Sequence, residues 1–235
     1  MTTPSQPPLA TGPTSSQGAT TVVKLNTPQL DTADKKVLCS AVCHCKNTPG
    51  IGKDGRSLKQ VCVSNQLKGL DETLRHRSPY KPEISYDMTK SPPEPFMDKE
   101  VETKSRDLWP GWTKTLWPKD PTRPVPYKPG KGYVRRPDVV IVNDSTKPPT
   151  QDNIKKVVEV KFPPDEYGSQ QREAYVAIAG DEKKLVTLTP DDCDCDKSEP
   201  DGPKVPVEDA GKVGAILALL YAIMTKRPPP RGLAY

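Results

Sequence analysis

The chain has 235 residues, enough for one domain of ordinary size, about 100 to 150 residues, with irregular sequence to spare. Apolar residues make up only 33% of it and 29 residues are proline, which excludes a large uninterrupted core and predicts long stretches without regular backbone pairing. The net charge of +5 permits an anionic partner without demanding one.

Residues 1–30 are rich in Pro, Ser, Thr and Gly and lack apolar periodicity, so they read as a flexible arm. Neither a basic n-region nor an apolar h-region opens the chain, so no secretory signal peptide is expected, and export would need another machine. Residues 31–130 read as a cysteine- and proline-rich region packing on the core, and residues 131–235 as that core with its C-terminal helix.

Cys39, Cys43, Cys45 and Cys62 fall early, and Cys193 and Cys195 late. The first group, with His44, offers zinc ligands, but its spacing lacks the paired C-x2-C knuckles of structural sites. Disulfides from the N-terminal segment to the acidic loop around Asp191, Asp192, Asp194 and Asp196 would staple a chain with so small an apolar core. Zinc, disulfide and free thiol all remain open at this point. The segment LKQVCVSNQLKGLDETLRH fits a short strand or a helix.

Residues 79–130 carry prolines every few positions and the cluster LWPGWTKTLWP, with Trp109, Trp112 and Trp117. Such rings usually anchor irregular chain onto a core, and stacking on unpaired bases is the functional alternative. Lys119, Arg123, Lys128, Lys131, Arg135 and Arg136, opposed only by Asp120, make a candidate phosphate-facing stripe. Its alternative reading is a solvated, proline-rich loop.

Order is clearest after Gly132. YVRRPDVVIVND and NIKKVVEVKF are β-branched runs joined by a turn-rich segment, which predicts a hairpin. SQQREAYVAIAG predicts a helix closed by Gly180, KKLVTLT a further strand, and Ala210 to Thr225 a final apolar helix. Strand, strand, helix, strand is a mixed α/β order. The longest apolar run, Val213 to Met224, falls short of the roughly 20 residues a membrane span needs, so stable membrane insertion is not expected.

Within the second strand, alternation sets Ile154, Lys156, Val158, Val160 and Phe162 on one face and Lys155, Val157, Glu159 and Lys161 on the other. Hairpin pairing can bring Asp138 near Glu159. Two carboxylates in apolar surroundings repel, which favours a shared proton or a divalent cation. Magnesium suits hard oxygen ligands, and Lys161 on the same face can orient water or stabilise developing charge. Taken alone, the same residues also fit an amphipathic strand with a surface Glu–Lys pair.

RPDVVIV followed by VEVKFPPDEYGSQQREAY resembles the PD-(D/E)XK nuclease superfamily, and within it the VRR-NUC branch. Pro137-Asp138 supplies the PD, Glu159-Val160-Lys161 the EXK, and Gln171 with Tyr175 the helix that follows, with Gln170 as the competing register. The resemblance implies a restriction-endonuclease-like core, a mixed β-sheet flanked by helices, and a magnesium-dependent (or manganese-dependent) deoxyribonuclease. It implies metal binding by Asp138 and Glu159 and catalysis by these with Lys161 and Gln171; from the basic stripe, Lys128, Lys131, Arg135 and Arg136 are the expected DNA contacts. An additional acid from a preceding helix would be Glu72, Glu100 or Glu102.

Within that branch the proline-rich front and cysteine-bearing extension look like the toxins delivered between bacteria by type VI secretion. That likeness implies synthesis in the bacterial cytoplasm, loading on a secretion spike or adaptor, action in a recipient cell and a cognate immunity protein. The alternatives are a phage or repair-type structure-selective nuclease, or a non-catalytic nucleic-acid-binding or secretion-adaptor protein.

Overall fold

A computed structural model describes residues 28–48, 50, 52, 58–168, 170–195 and 207–225. Most of the N-terminal arm and Asp196 lie outside the described residues.

Helix α1, Thr32–Cys45, starts where the Asp31 side chain accepts from the Asp34 amide at 2.8 Å, capping a free N–H. It buries Val37, Leu38, Ala41, Val42 and Cys45 along one stripe. Helix α2, Leu58–Thr73, buries Val63, Leu67 and Leu70. That spacing resolves the ambiguous segment as a helix. Short strands follow: β1, Tyr80–Pro82; β2, Tyr86–Asp87; and β3, Glu94–Pro95. After a one-turn helix α3, Trp112–Thr115, come β4, Val134–Arg135; β5, Val139–Val142; and β6, Ile154–Val160. Helix α4, Gln171–Ala179, strand β7, Leu185–Leu188, and helix α5, Val207–Thr225, complete the chain.

The main sheet has the order β1-β5-β6-β7, antiparallel except for the parallel β6–β7 pair. It is a mixed sheet flanked by helices, a restriction-endonuclease-like core. β1, from the segment expected to pack on the core, is a strand of the sheet itself. A smaller sheet, β3-β2-β4, lies beside it. Helices α1, α2 and α5 cover one face, where Leu38, Val42, Leu67 and Leu220 meet Ile141, Val158, Val160 and Val186. Helix α4 covers the other with Tyr175 and Ile178 against Val140, Val142, Ile154 and Val157. Its C-cap, Gly180, has φ +77°, a conformation that suits glycine.

The simple alternation expected of β6 is broken. Ile141 pairs with Lys156 but Val142 with Ile154, so Lys155 is an extra, bulged residue. Ile154 therefore joins the face of Val157 and Glu159 rather than that of Val158. Freed from the pleat, the Lys155 ammonium reaches Asp31 at 2.5 Å and Asp34 at 2.8 Å at the start of α1.

Two polar devices hold the irregular segments. Lys81 is fully buried, and its ammonium donates to Asp71 at 2.8 Å and to the carbonyls of His76 and Thr103 at 2.6 and 3.0 Å. Trp117 is fully buried among Trp112, Tyr127 and Tyr133. Arg123 lies over its ring at 5.1 Å and donates to Asp87 at 2.6 Å. Arg123 thus leaves the candidate phosphate stripe, because its fork is spent inside the fold.

All six cysteines are paired: Cys39–Cys193, Cys43–Cys195 and Cys45–Cys62. The zinc and free-thiol readings give way to the disulfide one. Two of the bridges fasten α1 to the loop after β7, closing long stretches of chain whose unfolded freedom they restrict. A Cys39→Ala/Cys193→Ala variant is expected to lose about 2 to 4 kcal/mol in denaturant titration. An unchanged midpoint would show that this bridge adds no stability.

Candidate active site

Asp138 stands at the entrance of β5. Val139 pairs with Val158, so one further step of the antiparallel register sets Asp138 opposite Glu159. The Val160 amide, at the end of β6, donates to Asp138 Oδ2 at 2.8 Å. Glu159 is 2% exposed. Its Oε1 accepts from Lys161 Nζ at 2.8 Å and from Gln171 Nε2 at 2.7 Å. Its Oε2 is buried and has no hydrogen-bond partner among the described residues.

Gln171 opens α4 and is the glutamine that reaches the centre. Its amide nitrogen meets Glu159 and the Tyr175 hydroxyl at 3.0 Å, and its Oε1 accepts from the Gly168 amide at 2.9 Å. Gln170 is exposed at the N-cap, and its register drops out. Tyr175, one helical turn on, donates to the Arg136 carbonyl at 2.9 Å. It thereby ties α4 to the strand entrance. Lys161, nearly buried, lies over the Tyr167 ring at 5.1 Å.

Burial pushes the Asp138 carboxyl up to about 8, with the neighbouring Glu159 charge adding to the rise and the Val160 hydrogen bond opposing it. Glu83 contributes to the same rise. It is an acid that sequence reasoning missed, sitting in the turn after β1 with its amide donating to the Asp138 carbonyl at 3.0 Å. Its carboxylate is paired with Lys68 and lies 4.0 Å from Arg136. Its place after a strand that pairs with β5 is the one signal that could have found it. Gln60 of α2, also missed, donates to the Val160 carbonyl at 2.9 Å. Nothing local in the sequence announces that contact, which depends on how α2 lies across the sheet.

The helix acids anticipated upstream do not join this centre. Glu72, Glu100 and Glu102 are exposed. Among the described residues no group of three or more acids, histidines or cysteines is placed to hold a metal. Two carboxylates remain, and they suit a divalent cation on two counts. Glu159 Oε2 is a buried acceptor with nothing to accept from among the described residues, and burial first, then the Glu159 charge, push the Asp138 carboxyl up, which a cation beside both would offset. Of the basic residues, Lys128, Lys131 and Arg136 are exposed, and Arg135 is half-buried within electrostatic reach of Tyr175.

A carboxylate–X–lysine strand at the middle of a mixed sheet, beside an acid at the mouth of the neighbouring strand, is the arrangement of the PD-(D/E)XK nuclease superfamily. The particular branch is the VRR-NUC domain, whose family model matches residues 91–187, so this chain carries a VRR-NUC nuclease domain. No curated protein and no solved structure gives a significant match. Helices α1 and α2 and strand β1, which complete the sheet and its helical cover, lie outside the matched residues.

Because Asp138 holds its proton more tightly folded than unfolded, the metal-free protein loses stability as pH rises from the ordinary value, 3.8, towards about 8. Asp138→Asn removes that loss and keeps an oxygen for the Val160 amide. In chelator the variant is expected to melt higher than the parent, with a gain that grows from about pH 5 to about pH 8. A gain independent of pH would show that Asp138 does not carry the strain.

Proposed function

We propose that the domain is a divalent-metal-dependent deoxyribonuclease with Asp138 and Glu159 as its metal-holding pair. The observation that carries this reading is the buried Oε2 of Glu159, which has no hydrogen-bond partner among the described residues, beside the Asp138 carboxyl that burial pushes up. Two hard oxygen donors and few other protein ligands favour magnesium, which keeps much of its water, with manganese as a substitute. A cation held there would supply Lewis acidity at the scissile phosphate and a nucleophile at neutral pH.

The chain's own residues do the rest. Asp138 and Glu159 would hold the cation as carboxylates, the Asp138 proton passing to solvent water. Lys161, held by Glu159 and Gln171 at 2.8 and 3.5 Å, presents its ammonium towards charge building on the phosphate in the transition state. Gln171 fixes the rotamers of both Glu159 and Lys161. Lys128, Lys131, Arg135 and Arg136 contact the DNA backbone, a role that makes binding salt-dependent.

In the cell the enzyme acts as an interbacterial toxin, carried on a type VI secretion spike or adaptor from the producer's cytoplasm into a recipient and neutralised by an immunity protein. The paired cysteines favour this over a repair role, since disulfides persist in chains that leave the reducing cytoplasm.

Supercoiled plasmid incubated with magnesium or manganese should be nicked and linearised by the wild type. Glu159→Gln should lose that cleavage by at least about 100-fold, and Gln171→Ala by about 10- to 100-fold. Salt-dependent binding without any product would instead mark a protein that holds nucleic acid without cutting it.

A further inference from the structure

An open cavity of about 350 Å³ lies next to the proposed centre, between the second half of α2, the turn after β1 and residues 104–109. Glu83 and Arg136 are part of its wall; the Glu83 amide donates to the Asp138 carbonyl at 3.0 Å, and the Arg136 guanidinium lies 4.0 Å from the Glu83 carboxylate. Glu83 therefore links the cavity wall to the Asp138 side of the centre.

Much of the charge lining it is already matched. Lys81 is committed to Asp71, and Lys68 to Glu83. Lys104 and Arg106 also line it; both lie within electrostatic reach of Asp98, and among the described residues neither side chain makes a hydrogen bond or a close ion pair. Trp109 closes the far side. It is 48% exposed, and of the three tryptophans it is the one without a ring contact among the described residues. Glu72 and Asp107 lie there too, so the cavity is no continuous basic track for a duplex backbone. A flat exposed ring flanked by two cations, with acids close behind, suits one base and its own phosphate.

We propose that this cavity receives an unpaired nucleotide of the DNA strand being cut. Its base stacks on the Trp109 indole, its phosphate lies against Arg106 and Lys104, and Arg136 bridges towards the scissile position. The inference rests on the deoxyribonuclease reading and adds to it a preference for substrate with single-stranded character beside the cut.

The test measures binding rather than cleavage, using the full chain carrying Glu159→Gln. Fluorescence anisotropy is followed with labelled oligothymidylate and with a blunt duplex of the same length. Trp109→Ala should weaken oligothymidylate binding by about tenfold, the scale of one lost base–aromatic stack, and Trp109→Phe should keep most of the affinity. Arg106→Ala should weaken binding and flatten its salt dependence. Matching melting curves show that the variants fold. Oligothymidylate affinity unchanged in Trp109→Ala overturns the proposal, and so does an equal loss for duplex and single strand. Wild-type protein that cuts no DNA, with Trp109-dependent binding intact, would sink the nuclease reading and leave the cavity assigned.

Discussion

The antiparallel register of β5 on β6 is the constraint on which the rest of the molecule depends. It sets one carboxylate at a strand mouth opposite another in a strand interior. Side by side, with Glu159 buried and Asp138 half-buried, two such groups are unfavourable. The surrounding structure reads as a response to that placement. Lys161 and Gln171 meet Glu159, the Val160 amide meets Asp138, and Tyr175 locks the glutamine's helix to the backbone just before Asp138. One acceptor stays unmatched, and it is the feature that makes a cation the natural complement.

Much of this was legible in the amino-acid order. The hairpin, α4 with its glycine stop, the following strand and the apolar last helix follow from period and punctuation. So does the closeness of Asp138, Glu159, Lys161 and Gln171, because strand alternation and a helix opening near the strand end are local rules. What escaped depends on distant pairing. The bulge at Lys155 answers a demand from Asp31 and Asp34, more than a hundred residues earlier in the chain. Glu83 reaches the centre only because β1 pairs with β5, and Gln60 only because α2 crosses that sheet. Arg123 looked like a phosphate contact until its buried partner, Asp87, and the rings beneath it were placed.

The proline-rich middle of the chain shows how a small apolar content still yields order. A ring cluster around Trp117, a buried lysine whose donors are taken by a carboxylate and two carbonyls, and short two-residue strands replace long regular elements. The buried Lys81 is tolerable there because its ammonium has a carboxylate and two carbonyls to donate to. The matched VRR-NUC segment begins inside this region. The helical cover that precedes it supplies the partner face without which Val158 and Val160 would be open to water.

The Cys39–Cys193 bridge has a topological consequence. All seven strands and the residues Asp138, Glu159, Lys161 and Gln171 lie between its two ends, so the chain from α1 to the loop beyond β7 is a closed covalent ring. A protease that cuts once anywhere within that ring opens it without dividing it, and the two new ends stay joined through sulfur. Losing a piece takes two cuts, or one cut and a reductant.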